Sequence, residues 1–428
     1  MRDSGEEMNE STSGRVRFRD VLGVRAFRAL WLSQIQSLAG DQLARVALSV
    51  LVFSKTDSVA LTALTYSLTL LPAVIGGILF GGLADRYPRR QVMVVCDLLR
   101  AALVALMAVP GEPLLIIGAL LVVVVIVGQP FLSAETAILP TLLEDESFVV
   151  GSGLRLLTSQ AAQLAGFALG GLVVAVVGVR PGLLINAATF LVSAVIIRCL
   201  VPAAEPPGGD SEGPRWFRPG ELRDTTRYVW ADRRLRVLAA LAWLATFHIV
   251  PESLAAPYAD GLGGGAKTVG LLMAAPPAGM ALGALVFVRL PMTARERLLA
   301  PLVVLSAVPL ALCGLKPGAA ISIVLWVLLG LLTTYQIQVS AEFVGSLADA
   351  RRGQAIGLVG SGMIAVQGLG ALGFGILGQY LGAAPAVGVA GAAALVVGSA
   401  LALECRRNPP TWGTVDNGER EGSPISAR

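Results

Sequence analysis

Four ionisable side chains stand inside long apolar runs, where a charge has no ordinary place. Asp41 and Arg45 lie four residues apart within 27–53, and His248 and Glu252 lie four apart within 236–259. In lipid, an ionisable group near mid-helix costs about 2.5–3.5 kcal/mol on insertion scales, so it is expected to pair or to work. Residues i and i+4 share a helix face, so each couple can pair along its own helix. Ser33, Ser37 and Ser49 continue the Asp41 row at the same spacing. The chemistry on offer is ion pairing and proton transfer. Asp41 beside Arg45 is expected to stay charged. Glu252 has only His248 near it in sequence and is the better proton carrier. His248, the single histidine, is a second relay candidate. The competing reading is of intrahelical pairs that only pack.

Two further apolar runs carry polar residues toward one end. Gln129, Ser133, Glu135 and Thr136 stand in one, and Thr333, Thr334, Tyr335, Gln336, Gln338, Ser340 and Glu342 in the other. A lipid-facing helix would not carry them, so they are expected to wet a vestibule. For Glu135 and Glu342, near the membrane surface, plain solvated surface is the alternative. Asp97 and Arg100, three residues apart, are expected to brace the neighbouring loop. No Walker loop, nucleophile elbow or metal-ligand cluster accompanies these residues, so neither an enzyme nor an ATP-driven pump is expected, and no cofactor. Cys96, Cys199, Cys313 and Cys405 form no CxxC pair and read as reduced, inert residues.

The elements that hold these residues follow from composition. Of 428 residues, 55% are hydrophobic and only 14% charged, and the mean hydropathy is +0.72. A soluble globule could not hide that much apolar surface. A soluble enzyme, a nucleic-acid binder and a disordered scaffold are thereby excluded. Twelve runs are long enough to cross a bilayer: 27–53, 59–81, 92–110, 114–138, 153–178, 182–202, 236–259, 268–290, 298–315, 319–343, 357–381 and 384–403. The expected organisation is a tail over 1–25, a six-helix bundle over 26–202, a central loop over 203–235, a second bundle over 236–404 and a tail over 405–428. No signal peptide is expected in the first 25 residues. The central loop opens on Pro206-Pro207-Gly208-Gly209 and continues as an amphipathic segment with Leu222, Thr226, Val229 and Trp230 at helical spacing. Lying among lipid headgroups and bridging as a solvated connector are its two readings. With the N-terminus inside, 27 of the 33 basic residues fall on the inner side and four on the outer. That bias puts both termini in the cytoplasm.

The two halves also match each other. At an offset of 207, Ser133-Ala134-Glu135 meets Ser340-Ala341-Glu342. Gly153, Gln160, Gly166, Phe167 and Gly171 meet Gly360, Gln367, Gly373, Phe374 and Gly378. Arg25 and Arg28 meet Arg233 and Arg236 at 208. Two six-helix repeats of this kind are a transporter feature.

After the second span the chain reads Gly81-Gly82-Leu83-Ala84-Asp85-Arg86-Tyr87-Pro88-Arg89-Arg90. This resembles the signature loop of the major facilitator superfamily, with Pro88 where the family has glycine. Phe27-Arg28-Ala29-Leu30-Trp31 and Asp97-Leu98-Leu99-Arg100-Ala101 are similar to the branch with bacterial siderophore and drug exporters. Gly166-Phe167-Ala168-Leu169-Gly170-Gly171 is similar to an antiporter signature, with Phe167 in place of its proline. The resemblance implies an all-α membrane protein in which spans 1, 4, 7 and 10 line a central cavity. Asp41, Arg45, His248 and Glu252 would then face the substrate and proton pathway. Ser37, Gln129, Glu135, Tyr335, Gln336, Gln338 and Glu342 would line the cavity. It also implies a cytoplasmic gate of Gly81, Asp85, Arg86, Arg89, Arg90, Asp97, Arg100, Arg351 and Arg352. The expected function is proton-coupled export of small amphipathic compounds by a monomer in the bacterial inner membrane. Its partners are then substrate, protons and lipid. An importer on the same fold and a non-transporting sensor are the alternatives.

Overall fold

The computed structural model describes residues 18–143, 145–203, 219–348 and 351–407. In lipid a backbone must satisfy its own hydrogen bonds, and among the described residues the regular structure is helical throughout. In chain order come α1 (Phe18–Gly23), α2 (Arg25–Thr56), α3 (Val59–Ser67), α4 (Leu71–Phe80), α5 (Leu83–Arg86) and α6 (Arg89–Met107). Then follow α7 (Leu114–Leu142), α8 (Asp145–Val177), α9 (Val179–Leu200) and α10 (Pro219–Ala231). The seventh span is a broken rod of α11 (Arg233–Trp243), α12 (Ala245–His248), α13 (Val250–Ser253) and α14 (Ala255–Asp260). The rest are α15 (Ala266–Phe287), α16 (Met292–Leu305), α17 (Ala307–Cys313), α18 (Ala319–Leu332), α19 (Tyr335–Gly345), α20 (Arg352–Leu381) and α21 (Ala383–Arg407).

Eleven of the twelve expected spans are helices long and apolar enough to cross a membrane. The twelfth, α6, has 19 residues but carries Arg89, Arg90, Asp97 and Arg100, so its character is set by charge. Prolines account for the later breaks in the seventh span, since Pro251 and Pro257 cannot donate to the helix ladder. The six-plus-six repeat returns in the turns. Gly111 and Gly318, 207 residues apart, both take the left-handed conformation, at φ 89° and 90°. Gly178 and Gly382 do so at φ 90° and 92° after the fifth and eleventh spans.

The chain forms two compact units. One holds residues 18–47 and 75–203, the other 48–74 and 219–407. In the first, Leu30, Met93, Cys96, Phe131, Ala134, Ile138 and Ile197 make a buried apolar cluster. The end of the stretch read as a tail contributes too. Val21 of α1 packs with Phe27, Leu139 and Leu143.

In the second unit, α15 and α18 approach so closely that side chains do not fit between them. A Cβ on Gly279 would overlap the Val327 carbonyl, and one on Gly330 would overlap that of Pro276. Small residues at helix crossings permit this contact in membranes. Residues 48–74 join this unit through α20. A Cβ on Gly375 would strike Ala63, and Ser67 Oγ donates to the Gly368 carbonyl at 2.8 Å. Gln379 Oε1 accepts from Ser58 Oγ at 2.9 Å and the Ala60 amide at 3.1 Å.

The amphipathic segment is α10. It docks onto protein: Val229 is fully buried, and Thr225 Oγ1 donates to Gln354 Oε1 at 3.0 Å. Leu222 and Trp230 stay exposed. Asp232 ends it and caps α11, accepting from the amides of Arg234 (2.7 Å) and Leu235 (3.2 Å).

Candidate functional site: charged pairs buried within the spans

In the first unit Asp41 finds its counter-ion on another helix. Arg100 of α6 donates Nη2 to Asp41 Oδ2 at 2.9 Å. The intrahelical expectation had looked only to Arg45, one turn along α2. The Arg100 guanidinium also stands 3.6 Å from Asp97 Oδ1 and lies 3.9 Å over the Phe190 ring. Gly128 of α7 leaves room beside its Nε. The expected brace of Asp97 and Arg100 on the gate loop is therefore corrected for Arg100. It lies eleven residues into α6, about 16 Å from the helix start at 1.5 Å per residue, and turns to the helix interior.

Glu135 is 2% exposed and pairs with Arg155 of α8 at 2.9 Å. Arg155 Nε donates to Gln34 Oε1 at 2.9 Å. The solvated-surface alternative for Glu135 fails, and Arg155, which the sequence reading did not single out, is a site residue it missed. Its signal was faint: one arginine just inside an apolar run. In the second unit the repeat-equivalent Glu342 also has an arginine, Arg234 of α11. The two copies thus keep the acid and recruit the base from different helices.

Glu252, 8% exposed, accepts a hydrogen bond from the Tyr66 hydroxyl at 2.7 Å. Tyr66 comes from α3, in the 48–74 segment, and sequence spacing gave no hint of it. His248 Nε2 lies 3.2 Å from Ser306 Oγ, and its ring meets Tyr335 edge-on at 6.3 Å. So the helical couple engages partners from three other places in the chain: α3, the α16–α17 junction and α19.

Several expected cavity residues are packed. Tyr335 is fully buried in the apolar cluster of Leu238, Leu241, Val303 and Val339. Gln338 is 4% exposed, so neither wets a vestibule here. Apolar contacts from α11 and α16 close over them. Gln336 donates weakly to Tyr335 Oη at 3.3 Å and the Ala242 carbonyl at 3.4 Å. Ser37 is buried, while Gln129 is half-buried and flanks Gly76.

The gate residues divide between the units. In the first, Gly81 leads into α5, Arg86 is exposed, Arg89 donates to the Ala137 carbonyl at 2.8 Å and Arg90 to that of Val201 at 3.3 Å. The Asp85 side chain lies outside the described residues. In the second, Arg351 lies 5.0 Å over the Tyr228 ring, and Arg352 opens α20.

Eleven helices long and apolar enough to cross a membrane, several of them carrying charged pairs, define a polytopic membrane protein by class. Comparison with known proteins refines that. Residues 30–256 match the Major Facilitator Superfamily. Enterobactin exporter EntS of Shigella boydii serotype 4 (strain Sb227) is 28% identical over 376 residues, covering 82% of this chain and 89% of the relative. EntS of Escherichia coli (strain SMS-3-5 / SECEC) is 27% identical over 404 residues, covering 92% and 96%. Among solved structures, a POT family transporter in complex with 5-aminolevulinic acid superposes with TM-score 0.73 at 12% identity, over 90% of this chain and 96% of that one. A variant of the nucleoside transporter NupG gives 0.67 at 14%, over 88% and 99%. The family match spans more than half of the chain, and the protein belongs to the Major Facilitator Superfamily. It is a transporter of small molecules, not an enzyme.

Proposed function

We propose that the protein is a proton-coupled exporter of small amphipathic compounds such as drugs, antibiotics or siderophores, working by alternating access. It acts in the bacterial inner membrane as a monomer, with both termini in the cytoplasm. The observation that carries this reading is the pair of carboxylates placed inside spans and bonded to groups on other helices, Asp41 to Arg100 and Glu252 to Tyr66. Each can take or release a proton when its partner shifts. The relatives named as enterobactin exporters support outward transport. Asp41, Arg45, His248 and Glu252 serve the substrate and proton pathway. Gly81, Asp85, Arg86, Arg89, Arg90, Arg351 and Arg352 serve a cytoplasmic gate. The apolar composition of the spans suits greasy substrates better than sugars, which demand dense hydrogen bonding.

The test is extrusion of a fluorescent cationic dye, and release of enterobactin, from energised cells lacking their own exporters. Extrusion of at least one compound is expected, collapsing with an uncoupler and falling at least tenfold in Glu252→Gln or Asp41→Asn. Extrusion unchanged in both variants would remove the carboxylates from the mechanism.

A further inference from the structure

Asp97 is the buried charge-bearing group that the pathway does not use. Its side chain is 0% exposed, and neither carboxyl oxygen makes a hydrogen bond of good geometry, the Ser193 hydroxyl being the neutral donor beside it. The nearest cation, Arg100, stands 3.6 Å away and gives its hydrogen bond to Asp41 at 2.9 Å. Asp41 is 32% exposed, so one carboxyl is accessible from outside the helix packing and the other is sealed. The groups that face Asp97 can be named helix by helix. Arg100 and Cys96 share α6, and α2 brings Asp41, with Arg45 one turn beyond. From α7 comes Glu135, already paired with Arg155. From α9 comes the Ser193 hydroxyl, while the basic residues of that helix, Arg180 and Arg198, sit in its first and last turns.

One guanidinium between two carboxyls leaves one negative charge too many for a dry site, and a proton removes the excess. We propose that Arg100 is a counter-ion shared by Asp41 and Asp97, and that the cluster's proton sits on whichever carboxyl the guanidinium leaves. In this conformation that carboxyl is Asp97. When Arg100 turns to Asp97, the Asp97 O–H bond breaks and an O–H bond forms on Asp41. The cluster is neutral before and after. Asp41, the accessible carboxyl, then gives its proton to water or exchanges it for a cationic group of substrate. Arg100 is thus a positioning residue that decides which carboxyl is protonated. This rests on the transporter reading for its purpose, but not for its test.

Infrared spectroscopy of purified protein in lipid nanodiscs, grown with [4-13C]aspartate, reads the proton directly. At neutral pH the wild type is expected to show one protonated-carboxyl C=O band that moves with the label and with transfer to heavy water. Asp97→Asn, isosteric with the protonated acid, is expected to lose that band, and so is Asp41→Asn, which leaves one carboxyl for one guanidinium and removes the excess charge. Absence of a label-sensitive band in the wild type overturns the proposal without any variant. So does its persistence in Asp97→Asn, or its persistence in Asp41→Asn, which would mean that burial alone protonates Asp97 and that Arg100 is not shared. Efflux by the same proteins is scored separately. A band that behaves as expected in a chain that exports nothing sinks the export reading and leaves the shared counter-ion standing.

Discussion

Asp41, Glu135 and Glu342 each meet an arginine from another helix, and Glu252 meets a tyrosine. Sequence spacing reports only neighbours on the same helix, so it could mark the acids but not their partners. The acids were legible because charge is costly in an apolar run. Arg155 was not, because an arginine near a span end serves topology just as well. The structure separates the two roles by burial. Removing one member of a buried ion pair typically costs about 3–5 kcal/mol, since the other charge is stranded. Arg155→Ala is therefore expected to destabilise the first unit by about that much, seen as a lower thermal unfolding midpoint in detergent. Adding Glu135→Gln should recover much of the loss. Equal stability of wild type and Arg155→Ala would show that the Glu135 pair contributes nothing.

At the scale of helices, apolar length located twelve spans well, and the ends less well. Helix α8 begins at Asp145 and α20 at Arg352, several residues before the apolar runs. A polar first turn is still helix, but hydropathy does not register it. The later breaks in the seventh span needed proline chemistry, and α10 needed tertiary contacts: Val229 turned inward while Trp230 stayed outside. Gly279 and Gly330 permit the close packing of α15 and α18. Gly279→Val places a side chain in space held by the α18 backbone, where no rotamer can yield. A loss of about 3 kcal/mol or more is expected, read as reduced folded yield and a lower unfolding midpoint. Gly77→Ala, at a glycine with nothing within 4 Å of a built Cβ, is the control expected to change little.

At the scale of the whole chain, the repeat was the most informative thing in the sequence. Residues matched at an offset of 207, and left-handed glycines recur in equivalent turns at Gly111 and Gly318. Chain order alone did not show that residues 48–74 pack with the second unit. That grouping rests on contacts of Ala63, Ser67 and Leu71 with α20, which are distant in sequence. It also places Tyr66 beside Glu252, and so ties the candidate proton carrier to a segment from the other half of the sequence. The central claim is that a proton gradient drives transport through these buried carboxylates. The most direct measurement uses proteoliposomes loaded with no nucleotide, a proton gradient imposed by dilution, and a fluorescent cationic dye outside or inside. The account predicts dye movement against the proton flow in the wild type, abolished by an uncoupler and reduced at least tenfold in Glu252→Gln. Dye movement that proceeds equally without a gradient, or unchanged in Glu252→Gln, would contradict it.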